Sequence, residues 1–241
     1  MSGRVALVTG GTSGIGRACV ARLRADGFAV TFTGRDAARG AAVAAELGAT
    51  FAPCDSCDRS RIAETVRGLA RLDALVLNAG AFFTGSIAET PPAAFRELIE
   101  VNLTAGFLFS RAALPALAAA RGSIVHVASA AATRGSHLLA AYSVSKAGVL
   151  ALSELLAAEG GPCGIRSNAI CPGNVLPGMP GEDSGAWQLP PLRRHGSPQD
   201  VADAVAWLCS PSAGHVSGAT ILLDGGMRSA LRAGADPLPS A

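Results

Sequence analysis

The sequence has little charge, and it contains only one Tyr and one Lys among its 241 residues. Charged residues make up 16% of the chain, and the cations other than that Lys are Arg residues scattered along it. Because no run of Lys or Arg forms a basic patch, we expect no nucleic-acid partner. No stretch approaches the ~18 uninterrupted apolar residues of a membrane span, so we expect no membrane partner either.

Secretory and metal-binding signals are also missing from the sequence. No charged segment followed by an apolar run and a cleavage site precedes the first apolar strand, so we expect a cytoplasmic protein with reduced thiols. Six Cys residues are present, and Cys54 and Cys57 form a Cys-x-x-Cys pair. A zinc site needs a second pair of ligands at similar spacing, and the sequence offers none. We interpret the six Cys as core and loop thiols and expect no metal.

Short apolar runs rich in β-branched residues alternate with longer Ala-rich stretches of helical character. Hydrophobic residues make up 49% of the chain, which is ample material for one α/β domain over residues 1–241. Alternating strands and helices predict a doubly wound, seven-stranded, mostly parallel sheet with helices on both faces. The predicted strands are residues 4–9, 29–33, 50–52, 74–77, 123–128, 165–170 and 220–223. The predicted helices are residues 15–26, 37–47, 59–70, 93–120, 141–159 and 200–208.

One segment departs from this alternation, because residues 177–191 are crowded with Pro and Gly. We interpret residues 174–195 as a substrate lid inserted in the fold, not as a linker between domains. A lid with so few apolar anchors is predicted to be mobile until ligands bind. The tail, residues 228–241, is mainly Ala, Gly, Pro and Arg and is predicted to fray.

A glycine-rich turn follows the first predicted strand, with Gly10, Gly14 and Gly16 in the spacing Gly-x-x-x-Gly-x-Gly. Glycines at such a turn let backbone N–H groups approach a pyrophosphate closely, and the next helix points its positive end at that charge. Because the turn lies between the first strand and the first helix of a βαβ unit, it predicts a dinucleotide site. An ordinary helix cap with flexible glycines is the alternative.

The only Lys, Lys146, lies four residues after the only Tyr, Tyr142, in a predicted helix. Positions i and i+4 share a helical face, so the ammonium and the phenol can approach each other. An unperturbed Tyr pKa of ~10 makes the phenol a poor base near neutral pH. A neighbouring cation lowers that pKa, so this pair predicts acid/base chemistry, and accidental pairing on a solvated helix is the alternative.

Further motifs extend this pattern along the chain: Asn78-Ala79-Gly80 after the fourth strand, Pro172-Gly173 after the sixth, and Asp224-Gly225-Gly226 near the end. With the glycine turn and Tyr-x-x-x-Lys, they resemble the classical short-chain dehydrogenase/reductase (SDR) family over roughly residues 3–227. The resemblance implies a single-domain Rossmann-like fold and an oxidoreductase that interconverts a ketone and a secondary alcohol. It also implies a homo-oligomer, a tetramer or dimer, paired through the long helices and the last strand.

The resemblance also assigns roles to individual residues. Tyr142 is the expected acid/base, Lys146 lowers its pKa and holds the nicotinamide ribose, and Ser129 orients the substrate oxygen. Asn102 is expected to bend the long helix before the fifth strand and to hold a water for proton relay. The expected cofactor contacts are Gly10, Thr12, Ser13, Gly14, Ile15, Gly16, Arg35, Asp55, Asn78, Ala79, Gly80, Tyr142, Lys146, Pro172, Gly173 and Val175.

The end of the second strand bears on the choice of cofactor. NAD-preferring relatives place an acid where this chain has Gly34, and Arg35 beside it suits the 2′-phosphate of NADP(H). Asp36 is better placed to cap the next helix than to bind ribose. NADP(H) is therefore the expected cofactor, with NAD(H) as the alternative. Pro177 stands where the family carries a Thr near the carboxamide, so one contact is expected to be lost or supplied by Asn174.

The substrate is not indicated by the sequence, and three other functions stay open. The chain is also compatible with an NAD-dependent alcohol or dihydrodiol dehydrogenase. A non-catalytic NADP(H)-binding sensor or scaffold, and an isomerase or dehydratase like the longer extended relatives, are the alternatives from other classes.

Overall fold

The seven apolar segments pair side by side as parallel strands in the order β3-β2-β1-β4-β5-β6-β7. The computed structural model describes residues 3–177 and 189–230 of the chain. All seven predicted strands are present, which confirms the doubly wound α/β fold, and every pair is parallel. The strands are β1 (Arg4–Val8), β2 (Phe28–Gly34), β3 (Thr50–Pro53), β4 (Ala74–Leu77), β5 (Ser123–Val127), β6 (Arg166–Pro172) and β7 (Thr220–Leu223).

Helices cover both faces of the sheet because successive strand residues point to opposite sides. On β1, Ala6 and Val8 belong to one core cluster, whereas Leu7 belongs to the other. The first cluster takes its helical residues from α1, α2 and α7, and the second from α3, α5 and α6. The described helices are α1 (Gly14–Ala25), α2 (Ala37–Leu47), α3 (Arg59–Arg67), α4 (Pro92–Ile99), α5 (Ala105–Ala120), α6 (Ala140–Gly160), α7 (Pro198–Leu208) and α8 (Met227–Ala230).

The predicted helix over residues 93–120 is interrupted by a π-helical turn, Glu100–Thr104, between α4 and α5. The N–H of Ala105 donates to the carbonyl of Glu100, five residues back, so the turn holds one residue more than an α-helical turn. Asn102 lies in this turn and is buried. The family resemblance predicts a bend at Asn102, and the structure has a π-helical turn at this position.

The stretch Pro92–Ala120 is long and apolar enough, by length and composition alone, to cross a membrane, and 33% of its most apolar window is buried. One such helix is weak evidence for a membrane span, because core helices of soluble proteins pass the same test. Phe109, Ala113 and Leu117 of α5 pack in the second core cluster. The inner face of the stretch is therefore part of the fold, and its outer face carries exposed apolar side chains.

The two ends of the predicted lid lie side by side. Val175 forms a β-bridge with Gly196, and the N–H of Leu176 donates to the carbonyl of Gly196 at 2.8 Å. Residues 178–188, with Met179 and Trp187, lie outside the described residues, and the expectation that the lid is mobile falls mainly on them. Of the predicted tail, residues up to Ala230 belong to the short helix α8, and residues 231–241 lie outside the described residues.

Candidate active site

The loops after β1 and β4 are joined where the strand order changes direction. The side-chain amide of Asn78 donates to the carbonyls of Thr9 and Gly10, both at 3.1 Å. The hydroxyl of Thr9 accepts from the N–H groups of Asn78 and Ala79, both at 3.0 Å. Asn78 therefore holds the glycine turn in place. Thr9 was not among the expected site residues, although it belongs to the same motif.

Two glycines of the turn, Gly10 and Gly16, are packed so closely that they have no room for side chains, whereas Gly14 has open space around it but a positive φ of 50°. A Cβ on Gly16 would lie 2.1 Å from the carbonyl oxygen of Gly10, and one on Gly10 would lie 2.9 Å from the Cα of Ala79. Ser13 is exposed, precedes α1 in extended conformation, and makes no side-chain capping bond in the described structure. The first N–H groups of α1 thus point toward an open edge, as anion binding requires. Ile15 packs partly against the first core cluster.

The end of β2 has no room for an acidic side chain. A Cβ on Gly34 would lie 2.5 Å from the Cγ2 of Thr12. Asp36 accepts from the N–H of Arg39 at 3.0 Å and caps α2, as expected from the sequence. Its carboxylate is thereby engaged in the helix terminus.

Arg35 is exposed beside Gly34, and within the described residues its guanidinium forms no ion pair. Burial raises the pKa of the Cys57 thiol, and the charge of Arg35 opposes that rise, so this guanidinium lies near the loop after β3. Asp55 in that loop accepts from the N–H of Cys57 at 3.0 Å. Arg35 and Asp55 therefore flank the same corner of the crevice, next to the glycine turn.

Ser129 and Tyr142 meet at the carboxyl end of β5. Ser129 follows the strand and accepts from the N–H of Ala131 at 3.1 Å, while Tyr142 lies in the first turn of α6. Burial raises the pKa of Tyr142 above its ordinary value, and a hydrogen bond with Ser129 opposes this rise. The two side chains therefore lie near each other at this end of the strand.

Lys146 is buried one helical turn after Tyr142. Its ammonium donates to the carbonyl of Val127 at 2.9 Å and lies 5.9 Å from the centre of the Tyr142 ring. Burial lowers the pKa of Lys146 to about 8. The i, i+4 spacing predicts that Lys146 lowers the pKa of Tyr142, whereas in the structure burial of the phenol raises that pKa. Desolvation disfavours the phenolate and is the largest cause of the raised pKa.

The amide of Asn102 is fully engaged with its surroundings. Its oxygen accepts from the N–H of Ala81 at 2.7 Å, and its nitrogen donates to the carbonyl of Ala81 at 3.0 Å and to the hydroxyl of Ser145 at 2.9 Å. Ser145 in turn donates to the carbonyl of Tyr142 at 2.8 Å. Asn102 therefore ties the loop after β4 to the helical turn that carries Tyr142. Sequence reasoning missed Ser145, whose only signal is its place three residues after Tyr142.

A small cavity lies behind the ammonium, with Asn102, His126 and Lys146 in its wall. It has room for roughly one water molecule, and Asn102 is in its wall. Burial, helped by the charge of Lys146, lowers the pKa of His126 to about 3, so its ring stays neutral near pH 7. Its Nε2 lies 3.3 Å from the hydroxyl of Ser167. Sequence reasoning also missed His126, although a lone His in the apolar strand β5 was a visible signal.

The remaining expected contacts surround the same crevice. A Cβ on Gly80 would lie 3.2 Å from the Oδ1 of Asn102 and 3.4 Å from the Nζ of Lys146, so this glycine lies against both side chains. A Cβ on Gly173 would lie 3.0 Å from the Cα of Asp224, and the N–H of Gly173 donates to Leu223. Pro172 ends β6, and Val175 is buried. The Asp-Gly-Gly segment therefore supports the Pro-Gly turn from behind.

Comparison with known proteins decides the family. A sequence profile of the family described as enoyl-(acyl carrier protein) reductase matches residues 10–228. L-Fucose dehydrogenase of Bos taurus is 34% identical, over 93% of this chain and 89% of that protein. Trans-4-hydroxycyclohexanecarboxylate dehydrogenase of Sinomonas cyclohexanicum is 33% identical, over 92% of both chains. A solved structure described as a short chain dehydrogenase/reductase family protein has a TM-score of 0.88 at 36% identity, over 92% of this chain and 96% of that one. The chain belongs to the short-chain dehydrogenase/reductase family.

As a short-chain dehydrogenase/reductase, this chain is an NAD(P)-dependent oxidoreductase that acts on CH–OH/C=O groups. Its crevice fits a dinucleotide, because Gly10 and Gly16 have no room for side chains and the first turn of α1 lies beside them with no side-chain cap from Ser13. Gly80 and the buried Lys146 face one end of this crevice, and Arg35 and Asp55 face the other. Among the described residues, no three side chains of metal-binding type come together.

The buried ammonium of Lys146 destabilises the fold, so replacing it with Met should stabilise the chain while removing activity. Burial lowers the folded-state pKa to about 8 from an ordinary 10.5. The destabilisation is therefore full below pH 8 and is relieved as pH rises from 8 to 10.5, where the folded chain releases its proton first. Below pH 8, Lys146→Met should raise the free energy of unfolding by about 1–3 kcal/mol.

Urea unfolding of the wild type and this variant at pH 7 and pH 9.5 measures the effect, and the gain should shrink at the higher pH. Arg67→Met is a matched control on an exposed side chain and should change stability by less than ~0.5 kcal/mol at either pH. A Lys146→Met protein no more stable than the wild type at pH 7 would contradict the proposed cost of burial.

Proposed function

We propose that the chain is an NADP(H)-dependent ketoreductase or alcohol dehydrogenase that interconverts a ketone and a secondary alcohol, with Tyr142 as its acid/base. The observation that carries this proposal is that Ser129, Tyr142 and the buried Lys146 lie together at the carboxyl end of β5. Relatives that act on fucose and on a hydroxycyclohexane acid support an alcohol substrate.

The side chains divide the chemistry among themselves. A bound nicotinamide supplies or accepts the hydride at the carbonyl carbon. Ser129 donates to the substrate oxygen and orients it, and Tyr142 delivers a proton to that oxygen in reduction or removes it in oxidation. Lys146 and the cavity beside Asn102 supply the path by which Tyr142 recovers its proton. The raised pKa of Tyr142 keeps the phenol protonated near neutral pH, which favours its role as a proton donor.

Tyr142→Phe removes the proposed proton donor without removing the ring. Because this is the only Tyr, no other phenol can replace it. Turnover of NADPH with a reactive ketone should fall by roughly 10²–10⁴-fold, as is typical of the loss of an acid/base group. NADPH binding, followed by its fluorescence, should stay near the wild-type level and serves as the control. Near-normal turnover in this variant would eliminate the proposed mechanism.

We propose further that NADP(H) is preferred over NAD(H). Gly34 leaves no space for an acid that would bind the adenosine ribose, and Asp36 is engaged in capping α2. Arg35 is the exposed cation at this corner, near the loop that contains Asp55. A guanidinium pairs with a 2′-phosphate in charge-assisted fashion, whereas NAD(H) offers it no such partner.

Arg35→Ala should raise the KM for NADPH by roughly 10–100-fold, because a charge-assisted hydrogen bond contributes ~1.5–3 kcal/mol. The KM for NADH should change little. Arg39→Ala is the matched control, since Arg39 already faces Asp36 at 3.6 Å, and it should affect both cofactors weakly. A wild-type enzyme that prefers NADH in kcat/KM would disprove the assignment.

We also propose a homo-oligomer, a dimer or tetramer, that buries the outer faces of α5 and α6. Phe107 on α5 and Val144 and Leu155 on α6 are about half exposed, at 47%, 52% and 58%. Trp207 on α7 and Leu222 on β7 form a second exposed apolar pair, at 42% and 39%. Burial of such faces removes apolar area from water at ~25 cal/mol per Å² and leads to closed symmetric assemblies.

Light scattering at micromolar concentration should show a mass at least twice that of the 24.1 kDa chain. Leu155→Glu should shift the protein toward smaller species, because a carboxylate would be buried in the interface. Ile87→Glu is the control, since Ile87 is 87% exposed in a loop outside both helices, and it should leave the mass unchanged. A monomeric wild type would reject the proposed assembly.

We propose that the protein is cytoplasmic and that its substrate is a small-molecule carbonyl or alcohol. We also propose that it has no nucleic-acid or membrane partner. All six Cys are free thiols, which suits a reducing compartment. The net charge of +2 is small and spread over scattered Arg residues, which suits neither a nucleic-acid footprint nor a membrane-surface patch.

A further inference from the structure

We propose that Phe82 is a positioning residue for the reaction: its ring holds the ring of Tyr142 in place and shields the phenol from water. This inference rests on the proposed role of Tyr142. The two ring centres are 4.9 Å apart with an interplanar angle of 65°, an edge-to-face contact. Among the described residues, this is the aromatic contact that Tyr142 makes.

Phe82 is held in this position from both sides. The preceding residue, Ala81, has both its N–H and its carbonyl bonded to the amide of Asn102. Three residues later, Gly85 donates to the carbonyl of Leu138 at 2.7 Å and forms a β-bridge with Leu139. The short segment between these anchors has little freedom, so the ring at its start is a fixed wall.

The second anchor also connects Phe82 to the helix that carries its partner. Leu139 is the N-cap residue of α6, and Tyr142 lies three residues further on. The first anchor reaches the same turn, because Asn102 bonds Ser145, which donates to the carbonyl of Tyr142. The loop of Phe82 and the first turn of α6 are therefore fixed to each other at two points, and the ring contact lies between them.

The ring contact restrains the side chain of Tyr142, whose torsions are not fixed by the backbone contacts described above. A Tyr side chain keeps two rotatable torsions, and the hydrogen bond with Ser129 restrains only its far end. Edge-to-face packing restrains the plane of the ring, and an apolar neighbour keeps water from its face. Burial is the largest cause of the raised pKa of Tyr142, and Phe82 is part of the material that buries it.

The neighbouring Phe83 provides a natural contrast. Its ring lies over Gly85, with its Cε1 2.9 Å from where a Cβ of that glycine would be. Both Phe residues are partly buried, and they stand next to each other in the same loop. Substitutions at Phe83 therefore report the general effect of losing a Phe from this loop, and substitutions at Phe82 add the effect on Tyr142.

The test compares Phe82→Ala, Phe82→Leu and Phe82→Trp with Phe83→Ala and Phe83→Leu in NADPH-dependent ketone reduction. Phe82→Ala should lower kcat by roughly tenfold with little change in the KM for NADPH, the pattern of lost positioning. Phe82→Leu keeps an apolar side chain over Tyr142 but has no ring, so its kcat should fall nearly as much as that of Phe82→Ala. Phe82→Trp should recover activity, and both Phe83 variants should stay within about twofold of the wild type.

The pH profile separates this role from a merely structural one. Reduction needs a protonated Tyr142, so the rate is present below its pKa and falls as pH rises through it. When Phe82→Ala admits water, the pKa of Tyr142 should fall, and the alkaline limb should move to lower pH. Phe82→Leu should move the alkaline limb less, because an apolar side chain still shields Tyr142 from water.

Two outcomes would overturn the proposal: Phe82 variants that match the Phe83 variants in kcat, or an alkaline limb unchanged in Phe82→Ala. If Phe82→Ala fails to fold by circular dichroism, Phe82→Leu alone decides on kcat. Failure of the proposed function is distinguishable, since it would leave Tyr142→Phe active. A dead Tyr142→Phe with a fully active Phe82→Leu rejects only the role of Phe82.

Discussion

The hydrogen bonds from Asn78 to the backbone of Thr9 and Gly10 join the loops after β1 and β4, at the point where the strand order of the sheet reverses. On one side of this point the chain builds β1, β2 and β3, and on the other β4 to β7. Crevices at such points lie at the carboxyl ends of the strands and are where open α/β sheets bind ligands. Because Asn78 fixes the glycine turn against the loop after β4, one local contact holds the two sides of the crevice together.

Polar groups beneath this crevice are buried at a cost to stability. Lys146, His126 and Tyr142 each have a pKa displaced toward the neutral form, which shows that burial disfavours charge at all three. Partners limit the cost: Lys146 donates to the carbonyl of Val127, His126 lies beside Ser167, and Tyr142 lies near Ser129. The large apolar clusters on both faces of the sheet stabilise the fold and offset the cost of burying these polar groups.

The sequence predicted the features that depend on local spacing. Uninterrupted apolar runs indicated strands buried on both faces, and the i, i+4 spacing of Tyr142 and Lys146 indicated a shared helical face. Some features that depend on contacts between distant segments were not predicted. The pKa of Tyr142 is raised because several segments bury it, and His126 meets Ser167 only because β5 pairs with β6. The spacing of residues along the sequence does not indicate which distant segments bury Tyr142 or bring His126 to Ser167.

The π turn at Glu100–Thr104 shows how one residue can serve both the core and the site. Each helical residue advances by about 100°, so one extra residue rotates everything after it by that angle. The rotation lets the amide of Asn102 face Ala81 and Ser145, while Phe109 and the residues after it in α5 still face the second core cluster. A regular α-helix through the same sequence would direct either Asn102 toward Ala81 and Ser145 or Phe109 toward the second core cluster, but not both. The extra residue is therefore the means by which a core helix also supports the loop of Phe82 and the turn of Tyr142.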